Sequence, residues 1–563
     1  MSTLLFKTPI MVMELVFTAR RKPPPLEVVG YHNIEMVKKE TGVRKVLIEK
    51  DSYYDSVFLM LISREVKKIP GVRDAVVSMG TEANRELLKK VGFLTREVEQ
   101  AAPNDLIIAV EGDNDEAVSN ALQSARELLT SKKSAAKAEE EYRPVSLDTA
   151  FKMLPDSNLV IISVPGIHAA REAKIALEND RHVMLFSDNV SLEDEIELKK
   201  LAVSRGLLMM GPDCGTAIIN GKPLCFANVV RRGNIGVVAA SGTGLQEVTC
   251  SIDRQGGGIS QAIGTGGRDL MESSVGGMMM LLGIEALKND PATGVIVVIS
   301  KPPAEDTAKN VISKLNETGK PCVIHFIGMK SREQSGNLRF AGNLEAAASM
   351  AVALSSGREY RPSTFTLPAL EIEKLVKRET VGMSRAQRYL RGLFTGGTLA
   401  DEALILFEWK IGSSCGVYSN IHTIPERILK DPDTSKAHTI VDMGDDLFTA
   451  GRPHPMIDPS LREERILKEM HDPEVALFLL DIVLGYGSHV DPAGAIIESL
   501  KAAKKQAKNR GGYLSIVASI TGTRGDFQNI EKQKKTLESI GCVVMPSNYQ
   551  ASMLALEIIG KAA

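Results

Sequence analysis

From Arg44 onward, short apolar runs alternate with longer stretches in which apolar residues recur every three or four positions, the spacing of strands followed by amphipathic helices. KVLIEK (45–50), DAVVSM (74–79) and DLIIAVEG (105–112) predict strands; YYDSVFLMLISREVKK (53–68), TEANRELLKKVG (81–92) and AVSNALQSARELL (117–129) predict helices. Small alternating units of this kind predict a two-layer, ferredoxin-like domain over 44–132, followed by the charged linker SKKSAAKAEEEYRP.

The next apolar runs are continuous, as expected of strands buried on both faces of a parallel sheet. NLVIISVPG (158–166), RHVMLFSD (181–188) and LLMMGPDCG, with helical text between them, predict a Rossmann-type domain over 145–230. NIGVVAASGTGLQEVTCSI (234–252) repeats the sequence of strand, glycine turn and helix. GISQAIGTGGRDL, TGVIVVISKPP and KPCVIHFIG add strands to about residue 328, giving a domain over 231–358. Polar text from 329 to 385 reads as closure and linker. The last third, 386–563, repeats the design: YLRGLFTGGTLADEALIL (389–406) answers NIGVVAASGTGLQEV, and VALFLLDIVLGYGSH, LSIVASITGTRGD and GCVVMPSN supply further strands. The fold class is therefore α/β and multi-domain, with parallel sheets.

Composition narrows the partners. Hydrophobic residues make up 44% and charged residues 25% of 563, and the net charge is −2, so nothing in the balance draws the chain to nucleic acid or an anionic membrane. The six Cys are scattered without a C-x-x-C pair, as reduced thiols of a cytoplasmic protein would be. Lys7 and Glu14 interrupt the apolar amino end, and no basic cluster or A-x-A site marks a signal peptide. No apolar run reaches the ~20 residues of a membrane span. Residues 1–40, with Pro23–Pro24–Pro25, read as an extension for which disorder stays open.

Three turns carry the candidate chemistry: Ser241–Gly242–Thr243–Gly244, Gly264–Thr265–Gly266–Gly267 and Thr521–Gly522–Thr523–Arg524. A turn that leaves a strand and opens a helix presents unpaired N–H groups and the positive end of the helix dipole to an anion. Glycine allows close approach, Ser and Thr add hydroxyls, and Arg524 could clamp phosphate or carboxylate. The plainer reading, that such turns only connect strand to helix, weighs about equally for any one of them. Gly396–Gly397–Thr398 echoes the first turn. Asp442, Asp445, Asp446, Arg452 and His454 crowd one Pro-stiffened loop, HTIVDMGDDLFTAGRPHPMIDP (438–459), which suits a substrate or partner-binding loop or an ordinary solvated one. No metal-ligand constellation and no H-E-x-x-H, G-x-S-x-G or G-x-x-x-x-G-K-[ST] motif occurs.

LVIISVPG, LLMMGPDCGTAI, NIGVVAASGTGLQEV, AIGTGGRD and NDPATGVIVVISKPPAED resemble, in order, the α subunit of succinyl-CoA synthetase across about 145–328. LGYGSHVDPAGAIIESL and SITGTRGD resemble the carboxy-terminal ligase domain of its β subunit, across about 475–560. This resemblance implies a CoA-binding-like Rossmann domain and two flavodoxin-like ligase domains. It also implies two phosphate cradles facing each other, Ser241–Gly244 and Thr521–Thr523. Four departures stand out. SREQSGNLRFAGN (331–343) has no His where the phosphohistidine segment aligns, and Lys301 stands near the aligned position of that histidine's Glu. The nucleotide-binding ATP-grasp domain and the CoA glycine fingerprint are missing.

FSDNVSLEDEIELK, MGPDCGT, FTGGTLADEA and VDMGDDLFTAGRPHPMIDP identify a closer resemblance, from residue 44 onward, to the FdrA family of acyl-CoA synthetase-like proteins. That resemblance implies one subunit of an oxamate carbamoyltransferase in purine (allantoin) breakdown, working beside other subunits and forming homo-oligomers. Its substrates would be carbamoyl phosphate or another phosphorylated molecule, with CoA possible and no cofactor certain. Lys301 and Arg524 would then be catalytic, stabilising charge on the departing phosphate; a purely structural, salt-bridged Lys301 weighs equally. An acyl-CoA ligase dependent on a partner subunit and a non-catalytic metabolite-binding scaffold are the competing readings.

Overall fold

The computed structural model describes residues 12–15, 43–50, 52, 54, 56–135, 144, 146–329, 334–412, 416–449 and 452–562. They fall into two compact units: Val16–Met153 with Ala450–Pro453, and the remainder.

In the small unit, strand Leu106–Gly112 lies between Val43–Glu49 and Val72–Met79, antiparallel to both. Its side chains alternate between two cores. Ile108 and Val110 meet Leu59, Val66 and Ala125 from the two long helices, whereas Ile107 and Ala109 meet Leu88, Phe93 and Val98 on the other face. That double burial explains the unbroken apolar run. It also makes three layers where two were expected.

The large unit holds three sheets. A four-stranded parallel sheet runs in the order Val12–Leu15, Leu159–Ile162, His182–Leu185, Met209–Met210. Part of the segment expected to be an extension is thus an edge strand; residues 1–11 and 16–42 lie outside the described residues.

The second sheet has seven strands. Its parallel strands, in chain order Arg232–Ala240, Ile259–Gly264, Val295–Ser300, Cys322–Phe326 and Leu338–Phe340, lie side by side as fifth, fourth, third, first, second. The hairpin Thr216–Ile219 and Lys222–Cys225 joins its far edge antiparallel, so this sheet reaches back across residue 230, where a boundary was expected. The third sheet is wholly parallel. Val417–Tyr418, His438–Asp442, Tyr389–Phe394, Val475–Val483, Ser515–Thr521 and Val543–Met545 lie in that spatial order. Apart from its short edge strand, it follows the same winding. In each sheet the connections leave the first strand in opposite directions, and a crevice opens there at the carboxyl ends.

The two windings share one continuous core, in which Ile299 and Val297 of one sheet and Phe394 and Leu479 of the other belong to a single apolar cluster. Each winding has a lead helix after its first strand, Gly242–Arg254 and Gly397–Phe407, and a tail helix after its last, Leu344–Ser355 and Asn548–Ala562. The lead helices exchange caps. Glu247 accepts from the Asn548 N–H (3.3 Å) at the start of the other winding's tail helix, and Glu402 accepts from the Leu344 N–H (2.9 Å). Both glutamates are the sixth residue of their helix and almost wholly buried. Each carboxylate faces the positive end of a helix from the opposite half, which satisfies amides that burial would otherwise leave orphaned.

Among the described residues no helix is long and apolar enough to cross a membrane. Of the Cys described, all are free thiols; Cys214, Cys250, Cys322 and Cys542 are buried.

Candidate functional site

The lead helices meet end to end at their amino termini. Ser241 caps the first: its Oγ accepts from the Gly244 N–H (3.0 Å) and lies 2.6 Å from Thr398 Oγ1 of the second. The Thr398 N–H in turn donates to Thr243 Oγ1 (3.3 Å). Glycine is required on both sides of the contact. A Cβ on Gly244 would come within 2.9 Å of Thr398 Cγ2, and one on Gly396 within 3.0 Å of Thr243 Cγ2. The expected opposition of two helix ends is therefore real, but its partner is Gly396–Gly397–Thr398 rather than Thr521–Thr523.

The two ends differ in what occupies them. At the second, Asp481 accepts from the Thr395 and Gly396 N–H groups (2.9 and 2.8 Å) and is itself held by Arg462 (3.0 Å). Asp442 lies against Gly397, so close that a Cβ there would overlap its carboxylate. The protein's own carboxyl groups stand at this end, although the Gly397 N–H meets no acceptor among the described residues. At the first, Gly242 is exposed and Thr243 half-exposed, and among the described residues their amides meet no protein acceptor. The first helix end is open to an external anion.

Lys301 follows the third strand of the same sheet and so reaches the crevice. Its Nζ pairs with Asp401 of the second lead helix (2.9 Å), with 29% of the side chain exposed. Burial works against its charge, yet Asp401, Asp442 and Asp213 outweigh that and hold its pKa above the ordinary value. Two carboxyls around it are displaced toward neutrality. Asp442 is pushed up to about 7, first by burial and then by Asp401 and Asp445, against the pull of Lys301 and of the Gly444 N–H. Asp213, on the loop after Met209–Met210, is pushed up to about 6 by the protein around it and by Asp446 and Asp188, with Lys301 and Arg268 opposing. The crevice thus combines free amides, one cation and two carboxyls able to exchange a proton near neutral pH.

The other expected residues divide clearly. Gly264 and Gly266 sit beneath the Asp213 loop: a Cβ on Gly264 would lie 2.6 Å from Cys214 Sγ, and one on Gly266, at φ 85°, 3.0 Å from Gly211 Cα. Gly267 precedes a helix of only four residues, Arg268–Met271. Under this turn the buried Lys199 donates to Glu195, Asp269 (both 2.8 Å) and Thr265 O (3.1 Å). The turn braces the Asp213 loop and opens no long helix.

Thr521, Gly522 and Thr523 are also bracing. Thr521 donates to Glu247 (2.6 Å), Arg254 donates to Gly522 O (3.0 Å), and Thr523 donates to Val229 O, with no helix before Ile530. Arg524 is 89% exposed and 3.8 Å from Glu531, outside the crevice. His454 borders the second helix end, its ring tilted at 46° to that of Phe226 and beside Gly444. Its Nδ1 accepts from the Met456 N–H (3.2 Å), which leaves the ring proton on Nε2, and burial lowers its pKa to about 4, so it is a neutral donor. Asp445 caps its own loop through the Leu447 N–H (3.0 Å), Asp446 is exposed beside Asp213, and Arg452 groups with the small unit. Sequence reasoning missed Asp213 and Asp401; TLADEA adjoins the Gly396–Gly397–Thr398 turn, whereas GPDCG meets Gly264 and Gly266 only in the fold.

Comparison with known proteins bears on the whole chain. Residues 393–558 match the CoA-ligase family, and residues 41–144 match "AllF, heavy metal-associated domain". The latter segment contains neither Cys nor His, and no group of three potential ligands occurs among the described residues, so its side chains do not fit a soft-metal site. The protein YahF of Escherichia coli (strain K12) is 47% identical over 92% of this chain and 99% of its own. The alpha-2 subunit of the ADP-forming succinate–CoA ligase of Trichomonas vaginalis is 26% identical over 33% of this chain and 60% of its own. Among solved structures, a dinucleotide-forming acetyl-coenzyme A synthetase of Ca. Korarchaeum cryptofilum aligns over 72% of this chain and 84% of its own, at 16% identity and a TM-score of 0.26.

Proposed function

The chain belongs to the FdrA family of acyl-CoA synthetase-like proteins, in one family with the YahF protein that it matches along almost its full length, and we propose that it is the acyl-transfer subunit of a partner-dependent acid–thiol ligase. The observation that carries this reading is the asymmetry of the two opposed helix ends, one faced by Asp481 and Asp442, the other open beside Lys301.

An acyl phosphate suits that arrangement. Its phosphoryl oxygens would take the Gly242 and Thr243 amides and Lys301, leaving the carbonyl carbon toward the Asp213 side. An incoming thiol attacks that carbon and the C–O bond to phosphate breaks. The thiol proton passes to a carboxylate, Asp213 or Asp442, and inorganic phosphate leaves on the amides. Helix-end stabilisation of the departing charge is the main catalytic term. The partner subunit would supply the nucleotide chemistry that forms the acyl phosphate. Relatives named as ligase subunits support this reading.

The same seat accommodates a second reading. His454, the crevice imidazole, carries its proton on Nε2 and so offers no lone pair to a phosphoryl group. Transfer directly from an acyl phosphate needs none, and carbamoyl phosphate with oxamate as acceptor is one such pair.

The test is a thermal-shift titration of the purified chain with acetyl phosphate, carbamoyl phosphate and CoA, followed by transfer assays. A ligand at about 100 times its dissociation constant adds about 2.7 kcal/mol. We expect an acyl phosphate to stabilise the chain, Lys301→Ala to abolish the shift, and a thioester to form once a partner is added. Oxalurate in place of thioester would select the second reading. No stabilisation by any acyl phosphate, or an undiminished shift in Lys301→Ala, would sink both.

A further inference from the structure

A cavity of about 460 Å³ lies away from the crevice, at the carboxyl ends of Ser515–Thr521 and Val543–Met545. Its volume falls in the range of small-molecule sites. It is walled by the last turn of the first lead helix, through Ser251, Arg254 and Gln255, whereas the open cradle is at that helix's other end, about 20 Å away for 13 residues.

Two features bring positive groups to this cavity. The first turns of the tail helices Leu344–Ser355 and Asn548–Ala562, and of helix Ile530–Glu538, all contribute to its lining, although Glu402 and Glu247 already take the Leu344 and Asn548 N–H groups. Arg254, Arg361 and Lys534 add three cations. Arg254 is fixed by its bonds to Ile520 O and Gly522 O (both 3.0 Å), and Arg361 and Lys534 are 88% and 47% exposed. Two carboxylates also line the cavity. Glu345 is engaged by Ser547 (2.8 Å) and Gln550 (2.6 Å), and Glu531 faces Arg524 across 3.8 Å. Among the described residues the cations have only distant acidic partners, Glu247 3.7 Å from Arg254, Glu359 3.9 Å from Arg361 and Glu538 3.8 Å from Lys534, loose pairs that a phosphate can displace.

The rest of the lining is amphipathic. Ile520, Ile530, Val544 and Met545 make an apolar floor, and the half-buried ring of Tyr360 stands beside hydroxyl and amide groups. A bare phosphate would use the cations and leave the floor and ring empty. From this combination we infer that the cavity is a second ligand site, for a nucleoside phosphate, with its phosphates on Arg254, Arg361 and Lys534 and its base against Tyr360.

Calorimetric titration of the full chain with ADP, AMP and inorganic phosphate tests this. We expect ADP to bind, Arg361→Glu with Lys534→Glu to weaken it by about tenfold or more, and Tyr360→Ala to weaken it by less. Both charge reversals lie at exposed positions and spare the fold. Lys301→Ala, which empties the crevice, should leave ADP affinity within about twofold. The inference is overturned if ADP does not bind, if Lys301→Ala removes binding while the charge reversals do not, or if inorganic phosphate binds as tightly as ADP. The acyl phosphate titration has the opposite sensitivity, so the two sites fail separately.

Discussion

Gly244→Ala is the sharpest probe of the opposed helix ends. In an ordinary helix the exchange would help, by up to ~1 kcal/mol. Here the new methyl would overlap Ser241 Oγ and approach Thr398 Cγ2 to 2.9 Å and Ile299 Cγ2 to 3.3 Å. Ser241 cannot swing away without losing both the Gly244 N–H and Thr398 Oγ1. Overpacking of this kind costs about 1–3 kcal/mol, and loss of the cap about 1 more. The net is a destabilisation of about 1–3 kcal/mol, or a few degrees in the melting temperature of the large unit. Gly242→Ala is the control, because a Cβ there meets only Thr216 Oγ1, at 3.6 Å. Scanning calorimetry on both variants should show Gly244→Ala melting lower and Gly242→Ala unchanged or higher. A Gly244→Ala protein as stable as wild type, or equal damage from both, would refute the end-to-end packing.

The folded pKa of Asp442, about 7, stands above the ordinary carboxylate value, so its contribution is whole below about pH 4 and is lost as pH rises through 7. Asp442→Asn should therefore gain stability on wild type between about pH 5 and pH 8, by a few kcal/mol in denaturant titrations; a pH-independent difference counts against the shift. Glu402→Ala leaves the Leu344 N–H without an acceptor and the Asn548 side-chain amide with Leu399 O alone, in a buried interface, and should cost about 2–4 kcal/mol. Glu402→Gln should recover part of that, and a loss below about 1 kcal/mol in the Ala variant would deny the exchanged caps their role. Lys301→Met should weaken inorganic phosphate binding by about tenfold in calorimetry, with Lys301→Arg intermediate; equal affinities in all three would exclude Lys301 from the cradle.

The α/β class, the repeat and the turn that opens the first lead helix were legible because each is a local pattern: an apolar run, a glycine turn, a helical period. Three things were not. The tail helix LEAAASMAVALS (344–355) lay in text read as linker, since its small apolar residues lack the strong polar face that marks a surface helix; it is buried between sheets, with Ala347, Ala348 and Ala351 inaccessible. The partner of the first cradle was misassigned because Thr521–Gly522–Thr523 has the right residue types, whereas what matters is whether a helix begins at once, and none does before Ile530. Asp213 and Asp401 lie about 190 residues apart in sequence and converge only through the winding of two sheets. Local patterns recover cradles; tertiary convergence supplies the groups that act on what a cradle holds.

Why the two helix ends differ can be traced to a single ladder position. In the first winding, Ala240, the last residue of the first strand, pairs with Ser300 of the third. In the second winding Leu393 pairs with Leu480, which sets Phe394, again the last residue of its strand, opposite Asp481. Ser300 and Asp481 therefore occupy equivalent positions beneath the turn. Where the residue is Asp, its carboxylate takes the Thr395 and Gly396 amides and sets a buried negative charge beneath the turn. Where it is Ser, the side chain is neutral, its buried Oγ has no hydrogen-bond partner among the described residues, and the next residue is Lys301. Two anions bound end to end across the Ser241–Thr398 contact would repel at short range in a partly desolvated crevice. An acid on one side and a lysine on the other make the two helix ends electrostatically unlike, and on the proposed function that difference would give a transferred group a single direction.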